Sequence, residues 1–248
     1  MIASIFITLL IFLSGSFDDD RARQIFEEFD NRRTAITYET GTMEMTITDN
    51  RNRTRNRSMR MYSYTTNDEI KTLTVFETPA DVRGTGFLSI SEGVNEVQYL
   101  YLPALGRVQT IGSGQRSDRF MGSDFTFEDL GAQNPDNFEF ELLDETAEKA
   151  IVKATPTTTS QYSHIIYTLN ISNYTLISAD YFNENEQIKE LSSHDYEEVK
   201  EDIWRPGRMV MKDLKEGRQT EIRWTNRIFD ETIPDSYFTE RHLQRGLQ

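Results

Sequence analysis

The chain has 248 residues with 27 Lys+Arg against 41 Asp+Glu, a formal net charge of -14 at pH 7, which favours solubility and argues against general nucleic-acid binding. It contains no cysteine, which excludes disulfides, thiolate nucleophiles, Cys-based zinc or iron–sulfur sites and a lipid anchor built on an N-terminal Cys. No Pro/Gly/Ser-rich linker, shift of composition or internal repeat divides it, so a single domain is expected.

Met1 to Leu13 form an apolar run too short to span a bilayer comfortably. Ser14-Gly15-Ser16 supplies the small residues that a signal peptidase reads, and Phe17-Asp18-Asp19-Asp20 begins a polar chain. Residues 1–16 are therefore expected to be a cleaved signal peptide, and 17–248 the mature domain. The run has no Lys or Arg before its apolar core, which leaves an uncleaved interfacial anchor as the alternative.

From Asp18 to Arg33 the spacing of Ala22, Ile25, Phe26 and Phe29 predicts one amphipathic helix behind an Asp-rich first turn. The period then changes to two. Met43, Met45 and Ile47 alternate with Thr42, Glu44, Thr46 and Thr48, the pattern of a half-buried strand. Similar runs at about 70–77, 85–90, 95–102, 161–171, 174–183 and 217–229 are separated by polar turns, which makes an antiparallel meander the economical topology. In 161–171, Ile165, Tyr167, Leu169 and Ile171 share a face; near the end, Ile222, Trp224 and Ile228 are expected to do the same. A sheet with one apolar face needs a cover, from its own curvature or from the helix.

Residues 112–137 break this rhythm. They carry Gly112, Gly114, Gly122, Gly131 and Pro135 with Phe120, Met121, Phe125 and Phe127, and read as a long ordered loop with one short helical turn. Such loops are often lids or binding segments; the plainer reading is a loop whose aromatics plug a sheet edge. On the first reading these side chains cover a cavity mouth, while Asp124 and Asp129 hold the closed loop through turn-capping hydrogen bonds.

Catalytic and metal chemistry is sparse. His164, His194 and His242 are not paired at metal-ligand spacing. Ser123, in Gly122-Ser123-Asp124, lacks the elbow of a nucleophilic serine. Gly84-Thr85-Gly86 and Gly112-Ser113-Gly114 fit turns rather than phosphate cradles. Asp124, Glu128 and Asp129 lack the spacing of a calcium loop and are read as turn caps. No metal site, cofactor or catalytic residue is expected; only a convergence of Asp124 and Asp129 in a cleft would revive a hydrolase.

Arg51, Arg53, Arg55, Arg57 and Arg60 stand out in an acidic chain. If 51–57 is extended, the odd-numbered arginines form a cationic strip suited to lipid headgroups or an acidic partner; the plainer reading is a solvated hairpin tip that guards a sheet edge. Met43, Met45, Met59, Met61, Met121, Met209 and Met211 suit repacking around different acyl chains, with a Met-containing core as the alternative.

Three separated segments resemble, in order, the LolA-like outer-membrane lipoprotein-sorting family. They are Phe76-Glu77-Thr78-Pro79-Ala80-Asp81-Val82-Arg83-Gly84-Thr85-Gly86-Phe87-Leu88; Leu102-Pro103-Ala104-Leu105-Gly106-Arg107-Val108 with Phe120 to Leu130; and Trp204-Arg205-Pro206 with Met209, Met211, Asp213 and Ile233 to Thr239. The branch that the chain is most similar to is often found beside resistance-nodulation-division or MMPL-type lipid exporters.

The resemblance implies a mainly β fold: a strongly curved antiparallel sheet forming an incomplete β-barrel, with the N-terminal helix and loops covering a hydrophobic cavity on its concave face. It also implies a periplasmic, non-enzymatic carrier of lipid or acylated protein, with an exporter of that type as a partner. The lipid-facing candidates are Met43, Met45, Leu102, Phe120, Met121, Phe125, Phe127, Met209, Met211 and Trp224; Arg83, Pro103, Arg107, Asp124 and Asp129 carry the motifs. The classical carrier latches its lid with an arginine, which no position of this chain matches by sequence. The alternative is a scaffold or sensor of the same fold that keeps a packed interior and binds a protein through 112–137.

Overall fold

The computed structural model describes residues 14–245. Met1 to Leu13, the apolar part of the expected signal segment, lie outside the described residues. Helix α1 (Ser14–Arg33) is followed by strands β1 (Tyr38–Thr48), β2 (Thr54–Thr65), β3 (Glu69–Thr78), β4 (Gly86–Glu92), β5 (Asn95–Leu102) and β6 (Arg107–Thr110). A long crossing segment leads to β7 (Phe138–Glu145), β8 (Lys149–Pro156), β9 (His164–Asn170), β10 (Thr175–Asn183), β11 (Glu186–Lys200), β12 (Ile203–Asp213) and β13 (Arg218–Phe229), and the described chain ends in α2 (Glu240–Arg245).

All thirteen strands form one curved antiparallel sheet, in the order β6-β5-β4-β3-β2-β1-β13-β12-β11-β10-β9-β8-β7. The chain walks from the central β1 to the edge at β6, crosses to the opposite edge at β7, and walks back to pair β13 with β1. The two edges do not pair, so the sheet is an unclosed barrel. A closed barrel would need no cover, whereas this one has a mouth between β6 and β7 and a single segment that joins its two lips.

On α1, Ala22, Ile25 and Phe26 are fully buried, as their helical spacing predicts. The helix starts earlier than the periodicity alone suggests, so Asp18 to Asp20 lie beyond its first turn. The Phe26 ring packs 4.7 Å from that of Phe140 and 5.0 Å from that of Tyr167, which ties α1 to the β7 side of the inner face. Burying one such ring contributes about 1.5–3 kcal/mol.

Strand alternation sorts the remaining core. Ile165, Tyr167 and Leu169 point inward with Met43, Met45, Ile47 and Met59. On the outer face Leu73, Val75 and Leu88 are covered by Ile233, Phe238 and Leu243 of the C-terminal segment. Gly86 makes this docking possible, because a Cβ there would meet the Leu243 Cδ1 at 2.5 Å. Gly84, at φ +77°, turns the chain just before it, so Gly84-Thr85-Gly86 is the turn its composition indicates.

One expected face does not hold. Ile222 and Trp224 face inward, but Ile228 is 49% exposed. Between Thr225 and Ile228 the β1–β13 register gains a residue, and Asn226 takes a left-handed φ of 52°. This bulge inverts the alternation beyond it.

Candidate functional site

The segment between β6 and β7, the expected lid, lies across the inner face of the sheet. Its tip folds on itself as a tight hairpin: Arg119 and Thr126 bridge, the Phe120 N–H donates to the Phe125 carbonyl at 2.8 Å, and the Ser123 hydroxyl donates to the Phe120 carbonyl at 2.7 Å. Three short 3-10 turns, Ser113–Gln115, Phe120–Gly122 and Pro135–Asn137, punctuate the segment where a single helical turn is expected.

The hairpin turns its aromatics into the sheet. Phe120, Phe125 and Phe127 are only 2–6% exposed. Phe120 lies 5.7 Å from Phe76, 5.1 Å from Phe87 and 5.8 Å from Phe127, ring centre to ring centre. The rings therefore fill the space beneath the lid, where an open cavity with aromatics at its mouth is expected.

All ten lipid-facing candidates meet in this one inner cluster. Met43, Met45, Phe120, Phe125, Phe127 and Met211 are buried in it; Leu102, Met121, Met209 and Trp224 pack against it half-buried. Met59, a candidate by the methionine argument, is buried there as well. The motif residues part company. Arg83, Pro103 and Arg107 are exposed on turns at one rim of the sheet, Arg83 donating to the Glu77 carbonyl at 3.0 Å, whereas Asp124 and Asp129 lie under the lid.

Asp124 corrects the turn-cap reading. Its carboxylate binds a strand rather than its own turn: the Thr220 hydroxyl on β13 donates to Oδ2 at 2.7 Å, and Arg218 forms an ion pair with Oδ1 at 2.8 Å. Burial holds its carboxyl above the ordinary aspartate range, with Thr220 and Arg218 offsetting part of that effect. Asp129 does cap, accepting from the Thr126 N–H at 2.7 Å. It also accepts from the Tyr162 hydroxyl at 2.5 Å and pairs with Lys189 of β11 at 2.9 Å. The two carboxylates are thus engaged with separate partners and do not converge.

The lid tip is held from both halves of the sheet. Arg57 on β2 donates to the Met121 carbonyl, with its guanidinium 5.7 Å above the Phe76 ring. Arg218 donates to the Gly122 carbonyl at 2.7 Å. Arg119 reaches β12, pairing with Asp213 at 2.5 Å. On the β5 side the buried Gln98 amide donates to the Phe127 carbonyl at 2.9 Å.

The arginine run therefore divides. Arg51 and Arg53 sit in the β1–β2 turn, Arg55 and Arg57 face inward, and Arg60 faces outward to pair with Glu77 at 2.8 Å. β2 is interior to the sheet, so these charges guard no edge. Arg218 and Lys189 are not among the sequence candidates, and Arg57 is one only as a member of the basic strip, not as a partner of the lid. Their signal is a cation on the apolar phase of a strand: Lys189 alternates with Leu191, and Arg57 with Met59.

At the far end of the inner face is an apolar opening of about 270 Å³, lined by Phe29, Tyr174, Leu176, Trp204, Pro206 and Met209. Arg205 beside it is buried, paired with Glu39 at 3.2 Å and donating to the Arg32 carbonyl at 3.2 Å, which ties the end of α1 to β12. The histidines lie apart on separate elements; His164 stacks on Phe182 and His242 on Tyr237.

A family model described as an uncharacterized protein matches residues 68–245. No curated protein matches the chain. Among solved structures it is similar to a domain described as an outer membrane lipoprotein-sorting protein from Vibrio parahaemolyticus, at 28% identity and a TM-score of 0.87, covering 92% of this chain and 100% of that one. It is also similar to a DUF1329 family protein from Desulfovibrio piger, at 25% identity and a TM-score of 0.85 over 91% and 99% of the two chains. A LolA superfamily protein from Nitrosomonas europaea, at 17% identity and a TM-score of 0.70 over 89% and 98%, shares the fold.

Proposed function

This chain belongs to the family whose model matches residues 68–245, described as an uncharacterized protein, and from its likeness to an outer membrane lipoprotein-sorting domain we propose that it is a carrier of the LolA-like kind which holds acyl chains of lipid or lipoprotein under the lid 111–137. The observation that carries this reading is the way the lid is fastened. Apolar rings fill the inner face, yet the tip is attached through polar contacts to β2, β12 and β13, which water can replace when it lifts.

An opened lid withdraws Phe120, Phe125 and Phe127 from a floor of Met43, Met45, Met59 and Met211. Unbranched thioether side chains repack around chains of different shape. An incoming acyl chain gains about 0.8 kcal/mol per buried CH₂ and takes the place of the rings. Arg57 is the residue of this chain that suits the latch role, since its release frees Met121 without breaking the sheet. The carrier reading extends to export: cleavage after Ser16, a periplasmic mature protein from Phe17, and an exporter of the resistance-nodulation-division or MMPL type as donor or acceptor.

One observation favours a scaffold or sensor instead. The interior is packed with the chain's own side chains, as a protein-binding domain of this fold requires. Saturable binding of a fluorescent fatty acid, displaced by phospholipid or acylated peptide, supports the carrier; no binding at micromolar probe supports the scaffold.

A further inference from the structure

The antiparallel order gives the sheet two rims, and they differ in charge. One rim holds the chain reversals at 66–68, 93–94, 146–148, 171–174 and 201–202. It exposes Asp68, Glu92, Glu148 and Asp202, with Glu231 following β13 on the same side. The other holds the turns 49–53, 79–85, 103–106, 157–163, 184–185 and 214–217; Glu184 and Glu186 are exposed at 184–186, whereas arginines gather along the neighbouring turns 49–53, 79–85 and 103–106.

Arg51, Arg55, Arg83 and Arg107 are exposed on or beside these turns and, among the described residues, form no ion pair. The turns are neighbours. Those at 49–53 and 213–217 line one cleft; the Ser58 N–H of β2 donates to Thr78 at the start of the third; a Cβ on Gly84 would lie 3.4 Å from Pro103 in the fourth. Two of the tips carry a leucine in water: Leu105 is 52% exposed and Leu214 45%. A chain of net charge -14 has thus gathered four unpaired arginines and two exposed leucines along one stretch of a single rim, with Asp81 the exposed carboxylate of the 79–85 turn and Glu184 further along the rim.

We propose that this arginine–leucine rim docks the protein on an anionic lipid surface. The cluster of unpaired arginines orients the molecule with this stretch of the rim toward the membrane. The arginines meet lipid phosphates, and Leu105 and Leu214, on separate turn tips, enter between headgroups. An acidic protein partner would use the arginines but leaves two isolated leucines without a role. The inference goes beyond the carrier reading and does not depend on what the inner face holds.

Co-sedimentation of the mature protein with phosphatidylcholine vesicles, with and without phosphatidylglycerol, tests it. Binding to the anionic vesicles that falls steeply with salt, and none to the zwitterionic ones, is expected. Replacing Arg51, Arg83 and Arg107 together by Ala should weaken it by about a hundredfold, at roughly fivefold per arginine. Leu105→Asp with Leu214→Asp should weaken it too, while Asp68→Ala with Glu148→Ala should not. Fatty-acid probe binding measured in parallel stays unchanged in all these variants, so loss of docking is distinguishable from failure of the carrier reading. Equal binding to both vesicle types, unchanged binding by the arginine variant, or capture by soluble polyglutamate with no binding to vesicles would overturn the proposal.

Discussion

Asp124 and Thr220 hold each other at both ends: the Thr220 hydroxyl donates to the Asp124 Oδ2 at 2.7 Å and accepts from the Asp124 N–H at 2.9 Å. This closed ring joins the lid tip to the strand that seals the sheet against β1, and it leaves Asp124 wholly buried. Lifting the lid hydrates that carboxyl.

A pH dependence follows. Because burial raises the Asp124 pKa in the closed state, the closed lid binds the proton more tightly than the open one. Closure is favoured below the ordinary aspartate value near 4 and weakens as pH rises through the interval between it and the raised value. Hydrogen exchange across 119–126 should therefore show opening that increases over that interval, after correction for intrinsic exchange rates. Asp124→Asn should flatten the trend; an unchanged trend would assign the titration elsewhere.

Arg57→Gln should loosen the tip selectively. Amides of 119–124 are expected to exchange faster, with the melting temperature of the sheet changed little, since the lost contact is a charge-assisted bond to one carbonyl, worth about 1.5–3 kcal/mol. Loss of protection throughout β1 and β2 would instead make Arg57 part of the sheet's own stability.

Lys189 and Asp129 are 9% and 1% exposed at their side chains. Lys189→Met strands a buried carboxylate and should cost about 3–5 kcal/mol. Adding Asp129→Asn to that variant should recover a large part. Denaturant unfolding of the four members of this cycle checks it, and strictly additive effects would show that the pair is not coupled.

Phe120→Ala removes a ring packed on Phe76, Phe87 and Phe127 and should cost about 3–5 kcal/mol. On the carrier account that loss falls on lid closure. Acyl-probe dissociation should quicken, and exchange should rise across 113–130 well before the sheet melts. Global unfolding with unchanged probe dissociation from the folded fraction would make the ring ordinary core.

Much of the fold could be read from alternation. Met43-Glu44-Met45-Thr46-Ile47 and Ile165 to Leu169 state both strand and face, and the spacing of Ala22, Ile25, Phe26 and Phe29 states the helix. Where alternation is interrupted, legibility stops. β12 contains Pro206 and Gly207, which read as a break; Gly207 lies where a Cβ would come 2.8 Å from the Asp195 carbonyl of β11, itself at a left-handed φ of 56°. β11 is polar for most of its length, while β7 and β8 do alternate, Phe138 and Phe140 against Glu139 and Glu141, but over only a few residues beside the polar turn 146–148.

The composition of the lid was legible and its clamps were not. Phe120, Phe125 and Phe127 announce a loop too apolar for solvent. The partners Arg57, Lys189, Arg218 and Thr220 lie far away in sequence, and only the closure of β13 onto β1 brings Arg218 and Thr220 to the lid. One-sided strands call for a cover and the resemblance implies a cavity, but neither reveals that the chain fills the space with its own 111–137 segment.

The central claim is that acyl chains enter only when the lid lifts, and the absence of native cysteine makes a direct measurement simple. In the Arg57→Cys, Met121→Cys double variant, a reducible bis-maleimide bridge staples the lid tip to β2. Saturable binding of a fluorescent fatty acid should be present before stapling, lost in the stapled protein and restored on reduction. Equal binding in the stapled and free forms, or no binding in either, would contradict the account.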